Sequence, residues 1–142
     1  MLHINEVESV GIVILQNDKV LLIKHSENAA HVTGVYGTPA GRVDEGESLM
    51  QAAIRELAEE TGLQTTEKDL LELPKKYTAD IPRKNGEIIR FRHTVFLCRK
   101  YEGKIKASDE GTPEWVTLDQ VVTLKLLPNI EDIIKQAQKY EN

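Results

Sequence analysis

Cysteine is almost missing from this chain: Cys98 is the single one, so no internal disulfide can form and stability has to come from a packed core. Aromatic residues are scarce at 5%, with one tryptophan, and the longest apolar stretches are only a few residues. That is far short of the roughly 20 needed to span a bilayer, so no transmembrane helix is expected. The N-terminal MLHINEVESV lacks the basic start and apolar centre of a secretory signal, and a cytoplasmic protein without membrane contacts is expected. An excess of positive charge is also absent. With 18 Lys and Arg against 23 Asp and Glu, the formal net charge is -5 and the pI is near 5.4. This argues against a binder of nucleic acid polymers, whose affinity depends on clustered positive charge. Small nucleotides bridged by a metal remain compatible. Repeats and low-complexity tracts are lacking, and 142 residues suit one domain over 1–142 with a real core.

What is present in abundance is glutamate, and it is concentrated between Gly41 and Leu63, GRVDEGESLMQAAIRELAEETGL. Ser48 and Gln51 form a capping-box pattern that can start a helix. Met50, Ala53, Ile54 and Leu57 then recur at helical spacing as a core-facing stripe, and Thr61-Gly62 can end the helix in a left-handed turn. The helix is expected from about Leu49 to Thr61. On it Glu56, Glu59 and Glu60 stand at i, i+3 and i+4, so three carboxylates crowd one surface. Such crowding is unfavourable by itself and becomes favourable around a divalent cation. Carboxylate ligation selects a hard ion, Mg²⁺ first and Mn²⁺ second, and Mg²⁺ recruits phosphate oxygens into its shell. An isolated ELAEE string is most often a solvated surface. Here Arg55 is the i, i+4 partner of Glu59, and Glu47 precedes it by eight residues.

Gly41, Glu47, Arg55, Glu56, Leu57, Glu59, Glu60, Gly62 and Leu63 each match the signature of the Nudix hydrolases, which this chain therefore resembles. The match fixes nine positions within 23 residues. The resemblance implies a Nudix fold, an α/β domain with a mixed β-sheet sandwiched between helices, in which loop, strand and helix form one rigid catalytic unit. It implies Glu56, Glu59 and Glu60 as metal ligands, with a backbone carbonyl near Ala40 or Gly41 as a further one. Glu47 and Arg55 are expected to orient the helix and its ligands. The Gly37 to Arg42 loop, with two glycines and Pro39, lets the backbone approach a ligand.

The remaining elements can be read from alternation and turn chemistry. Val10 to Leu15 and Val20 to Ile23 read as an antiparallel pair around Asn17-Asp18. Thr33 to Thr38 is a short extended candidate, and Leu70 to Ala79 a strand interrupted by Pro74. Ile88 to Cys98 alternates, with Ile89, Phe91, His93, Val95 and Leu97 on one face and Arg90, Arg92, Thr94 and Phe96 on the other. Asn85-Gly86 predicts a hairpin joining it to the segment around Tyr77 to Ile81. Trp115-Val116 reads as a further strand, and Ile130 to Tyr140 as a closing helix with Ile130, Ile133, Ile134 and Ala137 inward.

Outside the signature, Asp109 to Val116 is similar to a segment of MutT-type Nudix members in which a loop acid reaches the metal site. Glu110 is the matching residue and Glu114 the second candidate. Asn129, after Leu127-Pro128, is similar in place to a purine-reading asparagine, although capping the next helix is its favoured role. Arg90 and Arg92 share a strand face and are candidates to clamp phosphate, as are Lys24 and Arg42 near the signature loop; solvated side chains are the blander alternative. His93 is expected in the core, and His25 and His31 have no partner at metal-ligand spacing.

These residues predict metal-assisted hydrolysis of a phosphoanhydride, with Glu59 or Glu110 taking the proton of the attacking water. The expected substrate is a small-molecule nucleotide, a nucleoside diphosphate linked to another moiety, with a nucleoside triphosphate favoured. An ADP-ribose or nucleotide-sugar pyrophosphatase is the alternative, and a non-catalytic nucleotide sensor a second one. Either a monomer or a homodimer is compatible with the sequence.

Overall fold

The computed structural model describes residues 5–26 and 34–141. His31 and Thr33 lie outside them. Two β-sheets stand between two helices. The larger is mixed and contains β1 (Asn5–Val13), β5 (Ala40–Arg42), β6 (Leu70–Glu72), β7 (Tyr77–Pro82) and β8 (Ile88–Cys98). The smaller is antiparallel and contains β2 (Leu15–Gln16), β3 (Lys19–His25), β4 (Tyr36–Gly37) and β9 (Gly111–Thr117). The helices are α1 (Leu49–Thr61), the short α2 (Leu118–Val121) and α3 (Ile130–Lys139). Among the described residues no helix is long and apolar enough to cross a membrane.

The early antiparallel pair is divided between the sheets. Asn17, at φ 58, turns β2 back on β3 with Leu15 opposite Val20. Upstream, β1 leaves that sheet to run parallel with β8 and antiparallel to β5. Its period-2 alternation serves both sides of the mixed sheet. Val10 and Ile12 join Ala52, Ala53, Leu57, Leu70 and Phe96 in a core under α1. Val13 joins Val20, Leu22, Val95, Leu97, Ile133 and Ile134 in a second core under α3. All four inward positions expected on α3 are buried.

α1 occupies the expected range, and its capping box is complete: Ser48 Oγ accepts from Gln51 N–H at 3.1 Å, and Gln51 Oε1 accepts from Ser48 N–H at 2.9 Å. Gly62, at φ 82, ends it. Ala53 and Leu57 face the core as expected, joined by Ala52, whereas Met50 and Ile54 pack at its margin. Pro74, which has no N–H to give a ladder, falls between β6 and β7. Both strands pair with β8, at opposite ends. The Asn85-Gly86 turn closes the β7–β8 hairpin, with Gly86 at φ 91 and Tyr77 opposite His93.

Among the described residues Phe96 is the bulkiest fully buried side chain. Phe96→Ala is expected to lower the unfolding free energy by about 3–5 kcal/mol, the usual cost of such a cavity, read as a lower urea midpoint in equilibrium unfolding.

Candidate active site

Two connected features make the site: a rigid loop-helix corner and the cavity it borders. At the corner the loop turns through Gly46 at φ 79, and Glu47 N–H bonds the Asp44 carbonyl at 3.0 Å. The Glu47 carboxylate accepts from the Asp44 N–H at 2.9 Å and from Arg55 Nε and Nη2 at 2.8 and 2.9 Å. This bidentate fork is the strong form of the carboxylate–guanidinium pair. Arg55 also donates to the Arg42 carbonyl at 2.9 Å, to Glu56 at 2.8 Å and to Glu59 at 3.3 Å. The Arg55 hydrogen bonds, foremost, hold the Glu47 pKa down to about 2.

The carboxylates of α1 do not share one environment. Glu60 is 5% exposed and accepts from the Ala40 N–H of β5 at 2.7 Å. Burial, opposed by that N–H and reinforced by Glu56 and Glu110, pushes its pKa up to about 8. Burial also raises that of Glu56, against the pull of Arg55. Glu59 is different: its side chain is 58% exposed and turned to Arg55. Among the described residues no three His, Cys, Asp or Glu side chains surround a common point at metal-holding distance. Gly41 explains the placement of Glu56. A Cβ added there would lie 2.0 Å from Glu56 Cδ and 2.3 Å from both carboxylate oxygens, so the carboxylate rests against bare backbone.

These groups open onto a cavity of about 610 Å³, within the size range of small-ligand sites. Glu56, Glu60, Glu110, Gly41 and Arg42 are among its lining, and Ile81, Ile89, Phe91 and Leu127 give apolar wall. The Ser26 N–H bonds the Glu110 carbonyl at 2.9 Å, anchoring the loop ahead of β9 to the end of β3. Gly111 allows that approach, since a Cβ would lie 2.7 Å from the Lys24 carbonyl oxygen. Glu114 instead faces Tyr36 and does not line the cavity.

The candidate phosphate contacts separate. Arg42 lines the cavity, with its guanidinium 5.9 Å from the Phe91 ring centroid. Arg90 and Arg92 do not: Ile89, Phe91 and His93 supply the cavity face of β8, and Arg90 pairs with Asp80 at 2.8 Å. Lys24 is exposed and outside the lining. Asn129 sits at the start of α3 with φ 71 and makes no side-chain cap, so the favoured capping role is corrected; it lines the cavity instead. His93, expected in the core, is half-buried and lines the cavity, as do Arg83 and the buried Ser9, which carry no signal of this in the sequence. Only the strand register brings Ser9 beside His93. Arg83 stands just ahead of the legible Asn85-Gly86 hairpin signal, but nothing local marks which way its side chain faces.

The NUDIX domain model matches residues 6–137. The chain is 31% identical to an ADP-ribose pyrophosphatase of Methanocaldococcus jannaschii over 99% of its own length and 78% of the relative's. It is 30% identical to an 8-oxo-dGDP phosphatase of Homo sapiens, covering 92% of this chain but 38% of that protein. Among solved structures, a MutT NUDIX hydrolase from Burkholderia pseudomallei superposes with a TM-score of 0.74 at 25% identity, covering 93% of this chain and 98% of that one. With the glutamate corner, these likenesses define the class: the chain belongs to the Nudix family and is a hydrolase of phosphorus-containing anhydrides.

Two outcomes follow from the corner. Gly41→Ala is expected to leave the unfolding temperature nearly unchanged, because only a side-chain end must move, while hydrolysis falls at least tenfold as Glu56 is displaced. The Glu47 contribution to stability should be complete above its ordinary pKa of 4.5 and vanish as pH falls toward about 2, because its folded-state pKa is the lower one. Urea unfolding across that interval should therefore show the wild type losing its advantage over Glu47→Gln.

Proposed function

We propose that this chain hydrolyses the phosphoanhydride of a nucleoside diphosphate linked to another moiety, with a nucleoside triphosphate as the favoured substrate. The observation that carries this reading is the cavity's mixed lining, with carboxylates at Glu56, Glu60 and Glu110 and apolar surface at Ile81, Phe91 and Leu127. Phosphates suit the first when a cation offsets their charge, and a planar base suits the second.

Nudix hydrolases generally use divalent metals. The donor chemistry fits one: Glu56 and Glu60 are hard oxygen ligands against the bare backbone of Gly41, and Mg²⁺ commonly takes one or two carboxylates plus waters and substrate phosphates. Mg²⁺ is the proposed ion, with Mn²⁺ second. Glu59 completes the signature set proposed as ligands, its carboxylate being held at the edge by Arg55. When bound, the ion supplies charge neutralisation and polarises phosphate oxygens.

The residues perform the rest. Arg42 draws phosphate into the cavity, and Glu47 with Arg55 keeps α1 fixed against the loop. Glu110 is proposed to take the proton of the attacking water because it lines the cavity, whereas Glu59 is turned to Arg55. A P–O bond forms from water, the anhydride P–O bond breaks, and its electron pair leaves with the departing phosphate. The archaeal relative favours a second reading, an ADP-ribose pyrophosphatase, because the identity spans nearly the whole chain.

Phosphorus NMR of a panel of nucleoside triphosphates and ADP-ribose with Mg²⁺ separates these readings. Pyrophosphate plus a nucleoside monophosphate is expected from a triphosphate, and AMP plus ribose 5-phosphate from ADP-ribose. Glu60→Gln should lower turnover at least ~100-fold with unchanged unfolding temperature, and Glu110→Gln should cost more than Glu59→Gln. Near-normal turnover in Glu60→Gln would reject the proposed site.

A further inference from the structure

Ser9, His93 and Thr38 line the cavity and have no task in the reaction proposed above. Ser9 Oγ lies 2.6 Å from His93 Nδ1, and both residues line the cavity. They face each other across the parallel β1–β8 ladder, so the pair is held by sheet register rather than by a loop. Gly11 makes room for the ring. A Cβ there would lie 2.5 Å from His93 Nε2 and 3.2 Å from Thr38 Oγ1, so another residue would displace the imidazole. Thr38 is 3% exposed, lines the same cavity, and its Oγ1 makes no hydrogen bond among the described residues.

A buried hydroxyl without a partner is costly, and a hydrogen-bonding group arriving from the cavity would satisfy it. Close packing holds the His93 pKa down to about 4, so the ring is neutral near pH 7 and offers one donor and one acceptor. If Ser9 donates to Nδ1, Nε2 carries the proton; the reverse tautomer makes Nε2 an acceptor. Phe91 stands two residues away on the same face of β8, and Leu127 lines the same cavity. Flat apolar surface beside a neutral donor-acceptor pair is suited to a nucleobase, apolar on its faces and polar on its edge.

We propose that His93, held by Ser9 in the space left by Gly11, reads the nucleobase edge of the substrate together with Thr38 Oγ1. This inference rests on the nucleotide reading above and adds its specificity element. His93 is the contact and Ser9 the positioning residue. Neither takes part in bond breaking, so their loss should weaken binding of the base and leave phosphate chemistry intact.

The test compares wild type, His93→Leu and Ser9→Ala on nucleoside triphosphates that differ only in base, with ribose 5-triphosphate as a baseless control. For the preferred base His93→Leu should raise KM roughly 10–100-fold with kcat little changed, and flatten the ranking among bases. Ser9→Ala should shift KM in the same direction by less, while the KM of ribose 5-triphosphate stays unchanged in both. An equal rise for the baseless control, or a loss confined to kcat, would overturn the proposal. A separate readout uses nucleoside monophosphates and ¹⁵N NMR of the His93 ring without metal. Ring shifts on titration in a protein that hydrolyses none of the panel would sustain the base subsite and reject the reaction. Turnover without ring shifts would do the reverse.

Discussion

Arg55 is the contact on which the rest of the site depends. Its guanidinium joins the loop through Glu47 and the Arg42 carbonyl and joins the helix through Glu56 and Glu59. A planar fork with five donors can serve that many acceptors at once, which a lysine ammonium cannot reproduce. The loop therefore has little freedom relative to α1. Because β5 precedes the loop directly, the same contacts bring Gly41 beneath Glu56 and Ala40 N–H against Glu60. One side chain thus converts a loop, an edge strand and a helix into a single body.

That body has an electrostatic purpose. Glu56 and Glu60 are partly or wholly withdrawn from water, which raises their pKa values, and the neighbouring Glu110 adds a further like charge. Arg55 offsets part of the charge on Glu56 and the Ala40 N–H part of that on Glu60, yet burial still raises both pKa values, so carboxylates gathered this way would gain from a cation. Glycine is required where backbone must come close: at Gly41 for Glu56, at Gly111 where the loop carrying Glu110 enters β9, and at Gly11 for His93. The cavity follows from these approaches together with the two cores, because the mixed sheet supplies core to α3 at Val95 and Leu97 and cavity wall at Phe91 and His93.

Much of this was legible in the chain. The limits of α1, its capping box and the Gly62 stop follow from side-chain chemistry within a few residues, and so does the turn at Asn85-Gly86. The alternation of β8 separated its faces correctly, yet it did not say which face bounds a cavity. Arg90 and Arg92 stood as candidate phosphate contacts with solvated side chains as the alternative, and it is Phe91 and His93 that line the cavity. Asn129 was expected to cap α3, but its left-handed backbone leaves the amide uncapped and at the cavity. Glu59 was grouped with its neighbours by helical spacing, and spacing does not show that Arg55 would draw it to the edge.

The sequence by itself determined the family, the reaction class and the residues of the corner, because those depend on interactions over short separations and on nine matched positions within 23 residues. The tertiary structure decided which carboxylates are buried, which arginine reaches the cavity, and that Ser9 and His93 meet. These are matters of strand register and of which sheet face is covered, and residues 84 apart carry no local mark of their partnership. In this chain the loop-helix corner is a local property, and the part of the cavity proposed to choose a substrate is a property of the fold.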